Sequence, residues 1–525
     1  HENMANVTSS NFWELYPQVK KDIADSSFVA LDTEFSGLTA SSSTKSSLFD
    51  NPEERYNKQS KNTQSFMIYQ LGLACFIPCS KNDYAVKCYN FFCFPTSLND
   101  ATFLTQISGT NFLCKQKFDF NKCFYHGIPF LNKVQEQFLR NALQNKDADY
   151  YRIFQGMEDF ELDDICNQIT NWMASDKFSD KLILRPKFST KLLVLELTRR
   201  FPELGVIPGE GIVTVIKLKE RQKQPDVEVL KNEIINEVLG VAHVVRDLIE
   251  SKVPIVGHNC YRDLLILHHY FIHPLPEKYG EFKSSIVEKF PGIFDTKHIA
   301  FKIKDNNGSY VFDGTKLQDL FNSCCKNEKS SFMFSPRPRL HEASNRYELT
   351  EPVHEAGYDA YMTGCCFLKL AHYHAHIKMN LKMDRALRWD ELLAAVDDFN
   401  YQLNLSRAAV PFTFLNGEDP PSQRPNWLCF RKKDWSEINL SKISSLLSKF
   451  GSVDVRPGDW NQAIVAVSNK KSFEEIRRAY RKDNMYRVYT YNYCKHSVAF
   501  RKLIWFSVGV PSLLAVVLFW KKLQK

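Results

Sequence analysis

No part of this sequence repeats at the spacing of roughly 20 to 50 residues that stacked modules need, which excludes a solenoid. The first 26 residues lack an uninterrupted apolar stretch and are broken by Glu14, Lys20, Lys21 and Asp22, so nothing there resembles a secretory signal. The 14 cysteines lack the spacing of a secreted disulfide framework. They are scattered in apolar runs or adjacent, as in Cys324-Cys325 and Cys365-Cys366, which points to a reducing compartment. Cys75-x3-Cys79 and Cys88-x4-Cys93 are poorly spaced for zinc and read as core residues of strands. Charge of one sign is also scarce: 68 Lys and Arg against 60 Asp and Glu leave +8, which permits a polyanionic partner without requiring one. Over 525 residues, 44% hydrophobic and 24% charged content excludes wholesale disorder and gives room for two or three domains.

Residues 28–35, FVALDTEF, and the runs 68–77 and 84–94 read as three consecutive strands. Residues 39–64 between the first two are rich in Ser, Lys and Asn and read as loop, too polar to pack. Apolar residues at Leu230, Ile234, Val238, Val241, Val245 and Leu248 have helical spacing; a strand at 254–257 and a helix from Cys260 follow, so the chain alternates α and β. Residues 325–346 read as a basic insertion. A linker with Pro420, Pro421 and Pro425 precedes a final βαββαβ module, the element order of an RNA-recognition motif. Ile464, Val465 and Val467 occupy the positions where such motifs present stacking aromatics.

The C-terminus holds an uncharged apolar run, 503–520, which as a helix spans roughly 27 Å at about 1.5 Å per residue, enough for a thin bilayer. Arg501, Lys502, Lys521, Lys522 and Lys525 bracket it, and Trp505 and Trp520 lie near its ends. It reads as a transmembrane tail anchor with the body in the cytosol. The short anchor suits the mitochondrial outer membrane, with the endoplasmic reticulum as the alternative.

Asp32 and Glu34 are two apart in a predicted strand, so both carboxylates leave the same face and can share a cation. Asp159-Phe160-Glu161 and Asp226-Val227-Glu228 have the same spacing in polar settings and read as solvated. The pair at 32 and 34 interrupts an otherwise apolar strand, where uncompensated charge is costly. Asp263 falls in the first turn of a helix after a strand, and Asp359 in a helix that runs to about His374. His354, five residues earlier, would lie about 140° around that helix, so to act beside Asp359 it must precede the first turn. His341-Glu342-Ala343 repeats the tripeptide without a matching acid and reads as a decoy. Asp295, in Phe294-Asp295-Thr296, reads as structural or as outer support for a site.

The order Asp-x-Glu, Asp, His-x4-Asp resembles the DEDD superfamily of 3′-to-5′ exonucleases that use a histidine base. Phe118-Asp119-Phe120-Asn121-Lys122, Gly127-Ile128-Pro129-Phe130-Leu131-Asn132, Gly257-His258-Asn259 and His354-Glu355-Ala356-Gly357-Tyr358-Asp359 narrow the resemblance to the poly(A)-specific ribonuclease family. The resemblance implies an α/β, ribonuclease H-like nuclease core over 1–160 and 225–410. It also implies a small inserted α/β domain of the Arg-xxx-His type over 161–224 and an RRM-like module over 411–495; the tail anchor at 501–522, read from its apolar run, is foreign to the soluble poly(A)-specific enzyme. The signature Arg and His are replaced by Thr190 and Val194, and Trp460 is offset from the cap-binding tryptophan. Together with the tail, these departures point to the family's membrane-anchored branch, which trims piRNA precursors held by Piwi-class proteins with a Tudor-KH scaffold protein as partner.

The expected activity is metal-dependent 3′-to-5′ exoribonuclease on single-stranded RNA, releasing 5′-nucleotides. A poly(A) deadenylase of the same family and a catalytically silent membrane-bound RNA-binding adaptor are the alternatives. Asp32, Glu34, Asp263 and Asp359 are expected to hold two Mg²⁺ or Mn²⁺ ions, with His354 as general base.

Overall fold

Strand register decides where the acidic residues meet. In a computed structural model of the protein the strands of the first unit are, in chain order, β1 (Asn6–Val7), β2 (Phe28–Phe35), β3 (Ile68–Pro78), β4 (Asp83–Phe92), β5 (Lys181–Leu184), β6 (Leu204–Pro208), β7 (Val213–Lys217), β8 (Ile255–Gly257), β9 (Ile293–Asp295), β10 (Arg337–Leu340) and β11 (Gln402–Leu403). The structure describes residues 6–80, 82–95, 102–145, 159–175, 181–186, 189–209, 211–217, 226–304, 308–312, 314–326, 334–350, 352, 354–378, 385–497, 500 and scattered positions between 503 and 520. Residues 1–40 and 60–403 form one unit, and 41–59 with 404–525 form the other.

The principal sheet of the first unit runs β1-β4-β3-β2-β8-β9, with β10 also on β4. β2, β3 and β4 form an antiparallel meander, while β8 and β9 continue from β2 in parallel. This is the strand pattern of a ribonuclease H-like α/β core. The 23-residue helix Ala356–Lys378 packs on β2 and β3. Phe28 stacks on Phe76 at 4.5 Å and meets Phe367 edge-on at 5.1 Å. All three are fully buried, each side chain contributing about 1.5–3 kcal/mol.

Two sequence expectations change. Residues 39–64 are not all loop: Pro52–Ser65 is helical, with Arg55, Gln59, Ser60, Asn62 and Thr63 buried. Polar side chains there find partners both near and far in the chain: Asn62 Oδ1 accepts from the Ala40 N–H (2.9 Å), and Arg55 donates to the carbonyls of Ser406 (3.0 Å) and Arg407 (2.7 Å). The helical pattern at 227–251 is two helices, Val227–Leu239 and Val241–Ser251, broken at Gly240. Gly240 has φ +41°, and a Cβ there would lie 2.1 Å from the Pro129 carbonyl oxygen.

Between residues 159 and 217, β5, β7 and β6 form a small antiparallel sheet accompanied by the helices Asp159–Ala174 and Thr190–Arg200. Val194 is fully buried, so that position serves packing. The second unit contains β12 (Thr413–Phe414), β13 (Leu428–Lys432), β14 (Val453–Pro457), β15 (Gln462–Val467) and β16 (Tyr486–Thr490). Its four-stranded antiparallel sheet is ordered β14-β15-β13-β16, with helices Leu440–Leu447 and Lys470–Ala479. Val465 and Val467 pack into the core with Ile443, Leu447, Phe473 and Ile476. Among the described residues no helix is long and apolar enough to cross a membrane, and most of 503–520 lies outside the described residues.

Candidate active site

β2 carries Asp32 and Glu34 on one face, and its ladder with β3 shifts register between Glu34 and Phe35. Asp32 lies opposite Gly72. A Cβ on Gly72 would sit 2.0 Å from the Ala356 carbonyl carbon and 2.4 Å from the Gly357 nitrogen. The missing side chain therefore lets the start of helix Ala356–Lys378 rest directly on β3, one turn before Asp359. Buried polar groups dock that helix end: the Ala356 N–H donates to Gln70 Oε1 (3.0 Å) and the Gly357 N–H to Asn90 Oδ1 (2.6 Å). Glu355 is held by Tyr347 Oη (2.7 Å), Arg346 and Asn90. These donors and acceptors satisfy helix-terminal groups that would otherwise be orphaned.

His354 precedes the helix, in the left-handed region at φ 67°. Its backbone N–H donates to Asp359 Oδ1 (3.2 Å), its Nδ1 lies 3.7 Å from Asp359 Oδ2, and its ring meets Phe112 edge-on at 4.7 Å. Ligand atoms of Glu34, His354 and Asp359 all lie within 4.8 Å of one another. Asp263, in helix Tyr261–Leu267, accepts a 2.5 Å hydrogen bond from Thr33 Oγ1, which ties it to the strand between Asp32 and Glu34. The four acids and the histidine of the sequence reading are thus gathered around one end of β2.

Burial, and then the neighbouring carboxylates Asp263 and Asp359, raises the Asp32 and Glu34 pKa values well above the usual range. Burial raises Asp263 too, and lifts Asp359 to about 7. Burial lowers the His354 pKa, favouring the neutral imidazole. Among the described residues none of the four carboxylates forms an ion pair with Lys or Arg. Crowded oxygen donors with no ion-pairing Lys or Arg, and with only Arg262 acting at longer range on Asp263, fit hard divalent cations such as Mg²⁺ or Mn²⁺.

The remaining motifs mostly build local structure. Asp295 is fully buried and caps helix Thr296–Lys302 through the N–H groups of Lys297 (3.0 Å) and His298 (3.3 Å), also accepting from Asn259 N–H at 2.8 Å. His258 hydrogen-bonds Thr296 Oγ1 at 2.9 Å, and burial drops its pKa to about 3. Asp119 and Asn132 cap the next helices. His341 is exposed after β10. Sequence reasoning missed Thr33, Gln70, Asn90 and Phe112. For Gln70 and Asn90 the available signal was a polar residue in an apolar strand; for Thr33 it was position alone.

The profile described as CAF1 family ribonuclease matches residues 7–367. The chain belongs to the CAF1 family of ribonucleases. It is 32% identical to the pre-piRNA 3′-exonuclease trimmer of Bombyx mori, over 99% of both chains, and 28% identical to the poly(A)-specific ribonuclease PNLDC1 of Mus musculus, over 94% of both. A solved structure of S. pombe Pop2p in a Mg²⁺- and Mn²⁺-bound form is 16% identical, with a TM-score of 0.35 over 70% of this chain and 92% of that one. The enzyme is a 3′-to-5′ exoribonuclease of this family.

Proposed function

We propose that this ribonuclease trims the 3′ ends of single-stranded RNA, releases 5′-nucleotides, and takes as its substrate piRNA precursors held by a Piwi-class protein. The observation that carries the chemistry is the convergence of Glu34, Asp359 and His354 beside Asp32 and Asp263. The substrate class is supported by the similarity to the Bombyx mori trimmer, which extends over 99% of both chains.

Two Mg²⁺ or Mn²⁺ ions held by Asp32, Glu34, Asp263 and Asp359 would supply the positive charge that activates a water and stabilises the departing 3′ oxygen. His354 would receive the proton of the attacking water as general base. Asp359 orients the imidazole through its carboxylate near Nδ1 and its hold on the His354 N–H. Phe112, 42% exposed, limits the ring's rotation and offers a face to the terminal base.

The βαββαβ module acts as an RRM-like element, and residues 161–224 as a degenerate Arg-xxx-His-type insertion. Residues 503–520 anchor the chain in the mitochondrial outer membrane, where a Tudor-KH scaffold protein delivers the Piwi-bound RNA. The test is trimming of a Piwi-bound, 5′-labelled RNA against poly(A) and free RNA, with Mg²⁺. Stepwise shortening that favours the bound precursor and stops in Glu34→Ala, while RNA binding persists, supports the reading. Preference for poly(A) would make the enzyme a deadenylase, and binding without shortening would make it an adaptor.

A further inference from the structure

The second unit carries a groove of 630 Å³ along β16 and the C-terminal end of helix Lys470–Ala479. Five cations, Lys433, Arg477, Arg478, Arg481 and Arg487, line it against two carboxylates, Glu474 and Asp483. Both carboxylates are engaged. Glu474 lies 3.6 Å from Arg477, and Asp483 accepts the N–H groups of Met485 (2.8 Å) and Tyr486 (2.7 Å). Lys433 donates to the Asp483 carbonyl at 2.7 Å. Arg478, Arg481 and Arg487 are exposed and form no ion pair or side-chain hydrogen bond among the described residues.

Two plainer explanations fall short. Cations in the last helical turn complement the helix dipole, which accounts for Arg477 and Arg478. A charge on an edge strand discourages edge-to-edge pairing, which accounts for Arg487. Neither explains why these side chains and Arg481 converge on one concave surface. Arginine's planar fork suits phosphate oxygens, and Tyr489 at the rim is 39% exposed. On the sheet itself Ile464 is aliphatic and only 6% exposed, which leaves little there for base stacking.

We propose that this groove is an accessory site for the phosphodiester backbone of single-stranded RNA, bound by Arg478, Arg481 and Arg487. It rests on the ribonuclease assignment and not on the identity of the precursor, so any single-stranded RNA serves as probe. The experiment uses the full chain, wild type and Arg478→Gln/Arg481→Gln/Arg487→Gln, on RNAs of about 5 and about 40 nucleotides at several salt concentrations.

Each phosphate contact adds about 0.7 to the slope of log affinity against log salt, so losing three lowers it by about 2, or about 16-fold between about 50 and about 200 mM. The expected result is that reduction on the long RNA, with KM raised, kcat unchanged and trimming of the short RNA intact. Arg487→Gln alone should remove about 0.7 of slope, and the triple Lys variant should keep most of it. Equal KM and slope in wild type and variant would overturn the proposal. So would a defect confined to phosphatidylserine vesicles, which would make the groove a membrane contact, or an equal loss on both RNAs.

Discussion

Replacing Gly72 by alanine should cripple the enzyme although the residue carries no chemistry. Its Cβ would stand 2.0 Å from the Ala356 carbonyl carbon and 2.2 Å from its oxygen, whereas ordinary contact begins at 3.4 Å. Relief requires the helix start to retreat by about 1.4 Å, and both contacted atoms are backbone, so no side-chain rotation provides it. Asp359 and His354 move with that turn while Asp32 and Glu34 stay on β2. Overpacking of this kind costs about 1–3 kcal/mol of stability, and a misplacement of about 1 Å costs about 100-fold in rate. Single-turnover trimming of a 5′-labelled RNA, at a temperature where circular dichroism reports a folded chain, should show the rate down by about that factor with RNA affinity little changed. A rate within about twofold of wild type would refute the idea that close approach of this helix to β3 assembles the site.

Thr33→Val removes the hydroxyl that holds Asp263 and should lower kcat by about tenfold or more, since a hydrogen bond to a charged group is worth about 1.5–3 kcal/mol; Thr33→Ser should restore it. Away from the site, burial opposes the charge of Glu136, but hydrogen bonds from Arg140 and Arg246 prevail and bring its pKa to about 2. A depressed carboxyl stabilises the fold above its unfolded pKa of about 4.5 and loses that contribution as pH falls towards 2. Chemical denaturation should therefore show a stability loss across that window that Glu136→Gln lacks.

Much of the site was legible in the sequence because its residues break local rules. Asp32 and Glu34 stand in an apolar strand, and the 140° separation of His354 and Asp359 on an ideal helix requires the histidine to precede the first turn, as it does. What the sequence hid depends on distant partners. The polar helix Pro52–Ser65 has no apolar stripe to announce it, and its Arg55 donates to carbonyls some 350 positions away. Gln70, Asn90 and Gly72 acquire meaning only through the helix that lands on them. Thr33 faces away from its acidic neighbours by strand alternation, and only the placement of helix Tyr261–Leu267 gives it Asp263.

The most direct test of the carboxylate cluster is Mn²⁺ titration followed by electron paramagnetic resonance, run in parallel with trimming of the same samples. Wild-type protein should bind the ion saturably at the concentrations that switch on trimming. Asp359→Asn should weaken both together and leave RNA binding intact. Trimming that persists in excess chelator, or ion binding indifferent to Asp359→Asn, would contradict the account.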